Sequence, residues 1–319
     1  MFVKKNKPMI ISGQKIEKPL VSIIIPTFNR AKELKNCLRS ILENNYKNYE
    51  VIVIDDGSTD NTIEIIENEF SFTKLITFSK NKGVVKARNE GMRKAKGAYY
   101  CFVDSDNIVD KNFLIELIKV MESDKNIGFA GPKMYYLKDP KRIIFAGATI
   151  NLLTSRTKYI GMNEIDYGQY DQLRETDHIP NVWMVKREVV KKIGEMDANY
   201  VMHYEESDWS MRARKVGYKI IFCPKSIVYH DVPVSKNIGE NILTRDTPYR
   251  QYYFARNRII FMKNYSPSLK YLLFLILFNN LFLLFYILSF IKYKRFDLVS
   301  GYFRGYFDGL KFIRTVKRI

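Results

Sequence analysis

The sequence predicts a doubly wound, mostly parallel α/β sheet with an apolar, membrane-associated helical segment on its C-terminal side. Three observations predict it. Short apolar runs rich in β-branched residues alternate with stretches of helical periodicity between Leu20 and Met121, the pattern of strands joined by crossover helices. Two of the runs end in acidic clusters, Asp55-Asp56 and Asp104-Ser105-Asp106, and ligands bind outside the carboxyl ends of such strands. Tyr271 to Ile291 carries no charged residue and is long enough to cross a bilayer.

Taken in order, Leu20 to Ile25 is the first buried strand, stopped by Pro26. Leu34, Leu38, Ile41 and Leu42 predict a helix over Ala31 to Asn44. Val51 to Ile54 is a second strand. The turn Asp55-Asp56-Gly57-Ser58-Thr59-Asp60 then opens a helix, with Thr59 or Asp60 as N-cap and Ile63, Ile66 and Phe70 on one face. Leu75 to Phe78 is a third strand, and Asn81 to Gly83 turns into a helix from Val84 to Lys96 that Gly97 closes. Tyr99 to Val103 is a continuous apolar run and therefore a central strand. Side-chain alternation sends Asp104 and Asp106 to the same side of its end. Those two carboxylates suit a divalent cation, although Asp, Ser and Asn are also ordinary turn formers.

Phe113, Leu114, Leu117, Ile118 and Met121 mark a further amphipathic helix. Gly131 to Asn181 reads as antiparallel strands and loops, Trp183 to Val185 as a strand, and Val189 to Ile193 as a helix ending at Gly194. Tyr204-Glu205-Glu206-Ser207-Asp208-Trp209 leads into a helix that stops at Gly217; Lys219 to Cys223 and Ile227 to His230 are two late strands.

A chain of 319 residues, 46% hydrophobic and 27% charged, holds one large core or two small ones. Its net charge of +18 points to an anionic partner, either a phosphorylated ligand, an acidic membrane surface or nucleic acid. No nucleic-acid recognition motif accompanies the charge, and much of the excess lies in the C-terminal part, so nucleic acid is set aside. The cysteines, Cys37, Cys101 and Cys223, are far apart and form no CxxC pair, which supports neither a zinc site nor a disulfide framework and fits a reducing, cytoplasmic compartment. Met1 to Lys18 is basic and lacks an apolar signal-peptide core, so residues 1–19 read as a lead-in.

Basic residues flank the apolar segment, with Lys263 and Lys270 before it and Lys292, Lys294, Arg295, Arg304, Lys311, Arg314, Lys317 and Arg318 after it. A single span would place the more basic flank outside, against the positive-inside tendency. A re-entrant or interfacial hairpin turning at Asn279-Asn280, a tail lying on an anionic leaflet, and a helical pair buried against the main domain are the other readings. Gly301, Gly305 and Gly309 recur every four residues, a spacing that permits close helix packing.

The motifs together form a set. Val21-Ser22-Ile23-Ile24-Ile25-Pro26-Thr27-Phe28-Asn29-Arg30 is followed by Asp55-Asp56-Gly57-Ser58-Thr59-Asp60, Asn81-Lys82-Gly83 with Ala87-Arg88-Asn89, Asp104-Ser105-Asp106, Glu205-Glu206-Ser207-Asp208-Trp209 and His230. In this order and spacing the chain resembles the inverting family-two glycosyltransferases of GT-A fold, especially their rhamnosyltransferase-like, non-processive branch. The resemblance covers about Leu20 to Asn264. It divides the chain into a glycosyltransferase domain over 20–264, with a nucleotide-sugar half (20–130) and an acceptor half (131–264), and a membrane-associated tail over 265–319.

The resemblance implies roles for particular residues. Pro26, Thr27, Asp55 and Asp56 would hold the base and ribose of the donor, Arg88 would approach its diphosphate, Asp104 would contact the ribose or the metal, and Asn29 and Ser105 would also belong to the donor site. Asp104, Asp106 and His230 would ligate Mn²⁺ or Mg²⁺. Glu206, with Glu205 as the alternative, would be the general base that takes the acceptor hydroxyl proton, and Asp208 would orient the helix or touch the acceptor. Trp183, Trp209 and Arg256 would stand near the acceptor or phosphates. The family form at the base is Glu-Asp where this chain has Glu-Glu, and a Ser-Gly pair is replaced here by Pro180-Asn181-Val182. The Gln-x-x-Arg-Trp motif of processive synthases is not matched by Gln251-Tyr252-Tyr253-Phe254, which favours addition of a single sugar. The implied activity is transfer of one sugar from a nucleotide donor, UDP- or dTDP-linked, to a glycan or lipid-linked glycan at the cytoplasmic face of the cell membrane. A polyprenyl-phosphate acceptor and a non-catalytic nucleotide-binding module are the alternatives.

Overall fold

Every residue of Val21–Thr27 is buried, which an inner strand covered on both faces requires. The computed structural model describes residues 9–11, 14–16, 18–234 and 247–315. Most of the lead-in expected over 1–19, and Lys317 and Arg318 of the basic flank, lie outside the described residues. A two-stranded hairpin, β1 (Met9–Ile11) and β2 (Gln14–Ile16), comes first. The alternating region follows as β3 (Val21–Thr27), α1 (Ala31–Leu42), β4 (Tyr49–Asp55), α2 (Thr62–Glu69), β5 (Lys74–Thr77), α3 (Val84–Lys94) and β6 (Tyr99–Val103). Each expected strand and helix of this half is present, with ends shifted by a few residues. Beyond it lie β7 (Asn107–Val109), α4 (Phe113–Ser123), β8 (Ile127–Tyr136), β9 (Asp139–Phe145), β10 (Ala148–Ile150), β11 (Thr157–Tyr159), β12 (Arg174–Glu175), β13 (Val182–Lys186), α5 (Arg187–Ile193), α6 (Glu205–Lys215) and β14 (Lys219–His230).

The main sheet has the order β12-β14-β8-β13-β6-β3-β4-β5, with β7 paired to β14 and β9 to β8. Strands β6, β3, β4 and β5 are parallel, so their carboxyl ends, Val103, Thr27 and Asp55 among them, share one edge. β13 runs antiparallel to β6 with Val182 opposite Val103, which brings the start of β13 to that same edge. β14 pairs with β7 with His230 opposite Asn107, which brings the end of β14 there too. The two late strands expected from the sequence are one strand with a bulge between Cys223 and Ile227. Cys37, Cys101 and Cys223 are buried free thiols.

The chain then forms three long helices, α7 (Pro248–Tyr265), α8 (Ser268–Lys292) and α9 (Phe296–Thr315). The helix α8 runs unbroken through Asn279-Asn280, with one π-type turn over Phe274–Phe278, so the expected hairpin at that pair does not form. The glycine repeat works as its spacing suggests. A Cβ on Gly301 would stand 2.2 Å from the Pro248 carbonyl oxygen, and one on Gly305 2.1 Å from that of Tyr252. These positions let α9 lie backbone to backbone along α7. A second apolar core, built from Ala255, Ile259, Phe261, Phe274, Phe290, Leu298 and Tyr302, joins all three helices and includes Tyr200 of the preceding domain. Helix α7 ends at Tyr265, next to the boundary expected after residue 264.

Candidate active site

The loops after β3 and β4 are laced together. The Asn29 backbone N–H donates to Ser58 Oγ (2.8 Å) and its Oδ1 accepts from the Thr59 N–H (2.7 Å). Asp55 Oδ2 accepts from the Ser58 N–H at 3.0 Å, and the Asp56 carboxylate accepts from the N–H groups of Lys82 and Gly83 at 2.7 and 2.9 Å. Asp56 thus ties the second strand to the start of α3; burial raises its pKa against the pull of those two amides. Gly57, at φ +80°, is in the left-handed region this turn needs. Thr27 Oγ1 and Asp55 Oδ1 are buried with no hydrogen-bond partner among the described residues. Two orphaned oxygens at a strand edge are what a bound hydroxyl or base N–H would satisfy. Pro26 lies within β3 and Ser105 is buried beside Asp104.

Arg88, on α3, lies beneath the cleft with 2% of its side chain exposed. Its Nη2 is 2.7 Å from Asp104 Oδ1 and 3.3 Å from Glu206 Oε1, and its Nη1 is 3.7 Å from Glu205 Oε1. The guanidinium stacks 4.7 Å from the centre of the Trp183 ring. Asp104, Asp106, Glu206 and His230 keep 27%, 11%, 16% and 13% of their side chains exposed, so they face the cleft that Arg88 underlies. Burial pushes the Glu206 pKa up to about 8; Arg88 pulls against it, while Glu205 and Asp104 add to the rise. Glu205 moves in the same direction for the same first cause. Arg88 Nε and Nη1 are buried and donate no hydrogen bond among the described residues.

Asp106 and His230 meet on the other side of the cleft, with His230 Nε2 3.4 Å from Asp106 Oδ2. The Arg30 guanidinium pairs with the same carboxylate oxygen. Burial works to raise the Asp106 pKa, but His230 and Arg30 outweigh it and hold the carboxyl at about 2. No group of three or more His, Cys, Asp or Glu side chains able to hold an ion is gathered among the described residues. A carboxylate and an imidazole at one point, with a guanidinium drawn to the carboxylate, nevertheless form a donor set that suits Mn²⁺ or Mg²⁺ taking its remaining ligands from water and phosphate.

Asn181 joins the two sides. Its backbone N–H donates to Glu206 Oε1 at 3.1 Å, and its Nδ2 lies 3.3 Å from His230 Nδ1. It adopts φ +61°, a left-handed conformation that Asn tolerates better than most residues. The loop before Glu205 is also strained, with Val201, His203 and Tyr204 at φ +58°, +62° and +67°. It is held from α7, where the Asn257 side-chain amide donates to the carbonyls of Tyr200, Met202 and His203 at 2.6, 2.7 and 3.1 Å.

The other expected site residues are placed elsewhere. Asp208 bonds Arg212 Nε (3.0 Å) and the Tyr265 hydroxyl (2.7 Å), away from the Glu205–Glu206 pair. Trp209 packs edge-on against Phe102 and Phe129 in the core and donates to the Gly194 carbonyl. Arg256 donates to the Asn199 carbonyl at 2.8 Å. Arg30 closes the first motif with no role read from the sequence, and Asn257, next to Arg256, carries no sequence signal of its own. Asn181 was noted only as a departure from the family pattern, and the departure was itself the signal.

The fold and this edge define a class: a GT-A-type sheet that gathers carboxylates and a histidine beside the laced loops after β3 and β4. Residues 22–194 match the model of Glycosyl transferase family 2, and the chain belongs to that family. It is similar to the UDP-Glc:alpha-D-GlcNAc-diphosphoundecaprenol beta-1,3-glucosyltransferase WfgD of Escherichia coli, 39% identical over 34% of this chain and 44% of that one. It is also similar to the amylovoran biosynthesis glycosyltransferase AmsB of Erwinia amylovora, 26% identical over 69% of this chain and 73% of that one. Curated relatives at 37% to 42% identity are matched over 14% to 42% of their own length. Among solved structures, the mannosyltransferase PcManGT of Pyrobaculum calidifontis, in complex with GDP-Man and Mn²⁺, superposes with a TM-score of 0.54, covering 92% of this chain and 88% of that one at 16% identity.

Proposed function

We propose that the protein is an inverting glycosyltransferase. It moves one sugar from a nucleotide donor to a hydroxyl of a lipid-linked glycan precursor at the cytoplasmic face of the cell membrane. The observation that carries this reading is the junction at Asn181, where a buried carboxylate suited to a base and the Asp106–His230 pair are held by one residue. WfgD, named for glucosyl transfer to alpha-D-GlcNAc-diphosphoundecaprenol, supports the acceptor class, and AmsB is named for amylovoran biosynthesis.

In this reading Thr27, Asn29, Asp55 and Asp56 cradle the nucleoside, through the two orphaned oxygens and the loop that Asp56 fixes. Asp106 and His230, with Asp104 at the cleft edge, would hold Mn²⁺ or Mg²⁺, which supplies charge neutralisation to the departing nucleoside diphosphate. Arg88 keeps the Glu206 carboxylate in place and presents its remaining N–H groups to phosphate. Glu206 takes the proton of the acceptor hydroxyl as that oxygen attacks the anomeric carbon from the face opposite the diphosphate, so configuration inverts. Trp183 supports Arg88 from below, and Asp208 anchors the base helix through Tyr265. The donor is UDP- or dTDP-linked. The test is a panel of nucleotide sugars with Mn²⁺, in which EDTA and Asp106→Asn each abolish donor turnover; full turnover in both controls would remove the ion from the account.

A further inference from the structure

The apolar helix α8 leaves one long stripe uncovered. Leu269, Ile276, Leu284, Phe285 and Leu288 are 70%, 66%, 56%, 60% and 56% exposed. Its opposite face is packed: Phe274 and Phe290 are fully buried, Tyr286 stacks on Tyr302 of α9, and the Asn280 Oδ1 accepts from the Tyr306 hydroxyl. Both ends of α8 are fastened to the same folded body. Just before it, the Ser266 hydroxyl donates to the Leu152 carbonyl at 2.6 Å. Just after it, α9 begins, and Gly301 of α9 lies on Pro248 at the start of α7.

A helix that crosses a bilayer needs its two ends on opposite sides of a hydrocarbon layer about 30 Å thick. Here the ends return to one body. The layer α8 packs into also carries charge: Arg258, 2% exposed, donates to the Tyr302 hydroxyl and sits 4.7 Å from the Phe282 ring of α8. A span would drag that guanidinium, together with Arg304 and Asp308 of α9, into hydrocarbon. Only the outer stripe of α8 is free of such partners. Lys270 and Lys292 are exposed at its two ends, and the chain carries +18 overall. Like charges at the rim oppose pairing of two copies through this stripe and suit an anionic lipid surface.

We infer that α8 lies in the plane of the membrane, its Leu269–Leu288 stripe sunk into an anionic leaflet and its other face keyed to the catalytic domain. This rests on the membrane placement proposed above and adds its geometry. Helix α7, which α8 and α9 clasp, holds the loop before Glu205 through Asn257, so the bundle that seats on the leaflet is continuous with the loop that leads into Glu205 and Glu206.

The test uses the full chain. It is expected to cosediment with sealed vesicles of phosphatidylcholine and phosphatidylglycerol, more weakly with phosphatidylcholine alone. The triple variant Ile276→Glu, Leu284→Glu, Leu288→Glu, checked for folding by circular dichroism, is expected to stay in the supernatant. In cell membranes, Lys270→Cys and Lys292→Cys are each expected to react with an impermeant maleimide from the cytoplasmic side only; the three native thiols are buried. Labelling of the two positions from opposite sides would show a span and overturn the inference. So would a dimer that fails to bind vesicles, with a second copy covering the stripe. Nucleotide-sugar hydrolysis by the wild-type protein without vesicles reports the catalytic reading separately, since it does not depend on how α8 is seated.

Discussion

Arg88 Nη2 lies 3.3 Å from Glu206 Oε1 while the same nitrogen is 2.7 Å from Asp104 Oδ1, so one buried guanidinium balances both carboxylates. Removing one partner of a buried charge cluster strands the rest. Arg88→Met is expected to lower stability by roughly 3–5 kcal/mol, read as a fall in the denaturation midpoint with unchanged slope. A variant as stable as the wild type would mean that the three carboxylates do not depend on Arg88.

The raised pKa of Glu206 has a signed consequence. Its folded value is about 8 against a reference of 4.5. Between those values the folded chain holds a proton that the unfolded chain has lost, so this group's contribution to stability falls as pH rises through the window. Activity runs the other way, because only the ionised carboxylate accepts a proton, and transfer is expected to climb with pH until about 8. Glu206→Gln is expected to gain stability relative to the wild type from pH 5 to pH 9 in thermal melts. A difference independent of pH would contradict the assignment of the shift to this residue.

Arg30 and a cation compete for Asp106 Oδ2. Arg30→Ala is therefore expected to bind Mn²⁺ more tightly than the wild type by calorimetry, and Asp106→Asn not to bind it measurably. Weaker Mn²⁺ binding in Arg30→Ala would show that the arginine supports the ion rather than standing in for it.

Much of the stretch over 20–130 was legible because local pattern and tertiary role agree there. The run Tyr99–Val103 is buried throughout, as its composition requires, and the turn at Asp55-Asp56-Gly57 forms at the strand end where it was expected. The stretch over 131–264 was less legible, because its key relations come from pairing across long sequence separation. That Val182 sits opposite Val103, and hence that Asn181 reaches Glu206, follows from an antiparallel insertion that no periodicity encodes. Trp209 and Asp208 carried the look of site residues, yet helix geometry turns both away from the cleft into the core and toward Arg212. The clasp of α7 by α9 was visible in the Gly301, Gly305 and Gly309 spacing, whereas the partner of that stripe was not.

Asn257 fixes three carbonyls of the strained loop that ends in Glu205. Asn257→Ala is expected to reduce kcat on the order of 10²-fold, the effect of displacing a catalytic group by about 1 Å, with KM for the nucleotide sugar nearly unchanged. A rise in KM at constant kcat would place the residue in donor binding instead.

The central claim is that Glu206 is the base of a sugar transfer run from the Asp106–His230 edge. The most direct measurement is transfer from the best nucleotide sugar of the panel to a lipid-linked acceptor with Mn²⁺ present, comparing wild type with Glu206→Gln and monitoring anomeric configuration. The account predicts an inverted product from the wild type and a loss of about 10²–10⁴-fold in kcat for Glu206→Gln, with donor binding retained. Transfer at the wild-type rate by Glu206→Gln, or a product of retained configuration, would contradict it.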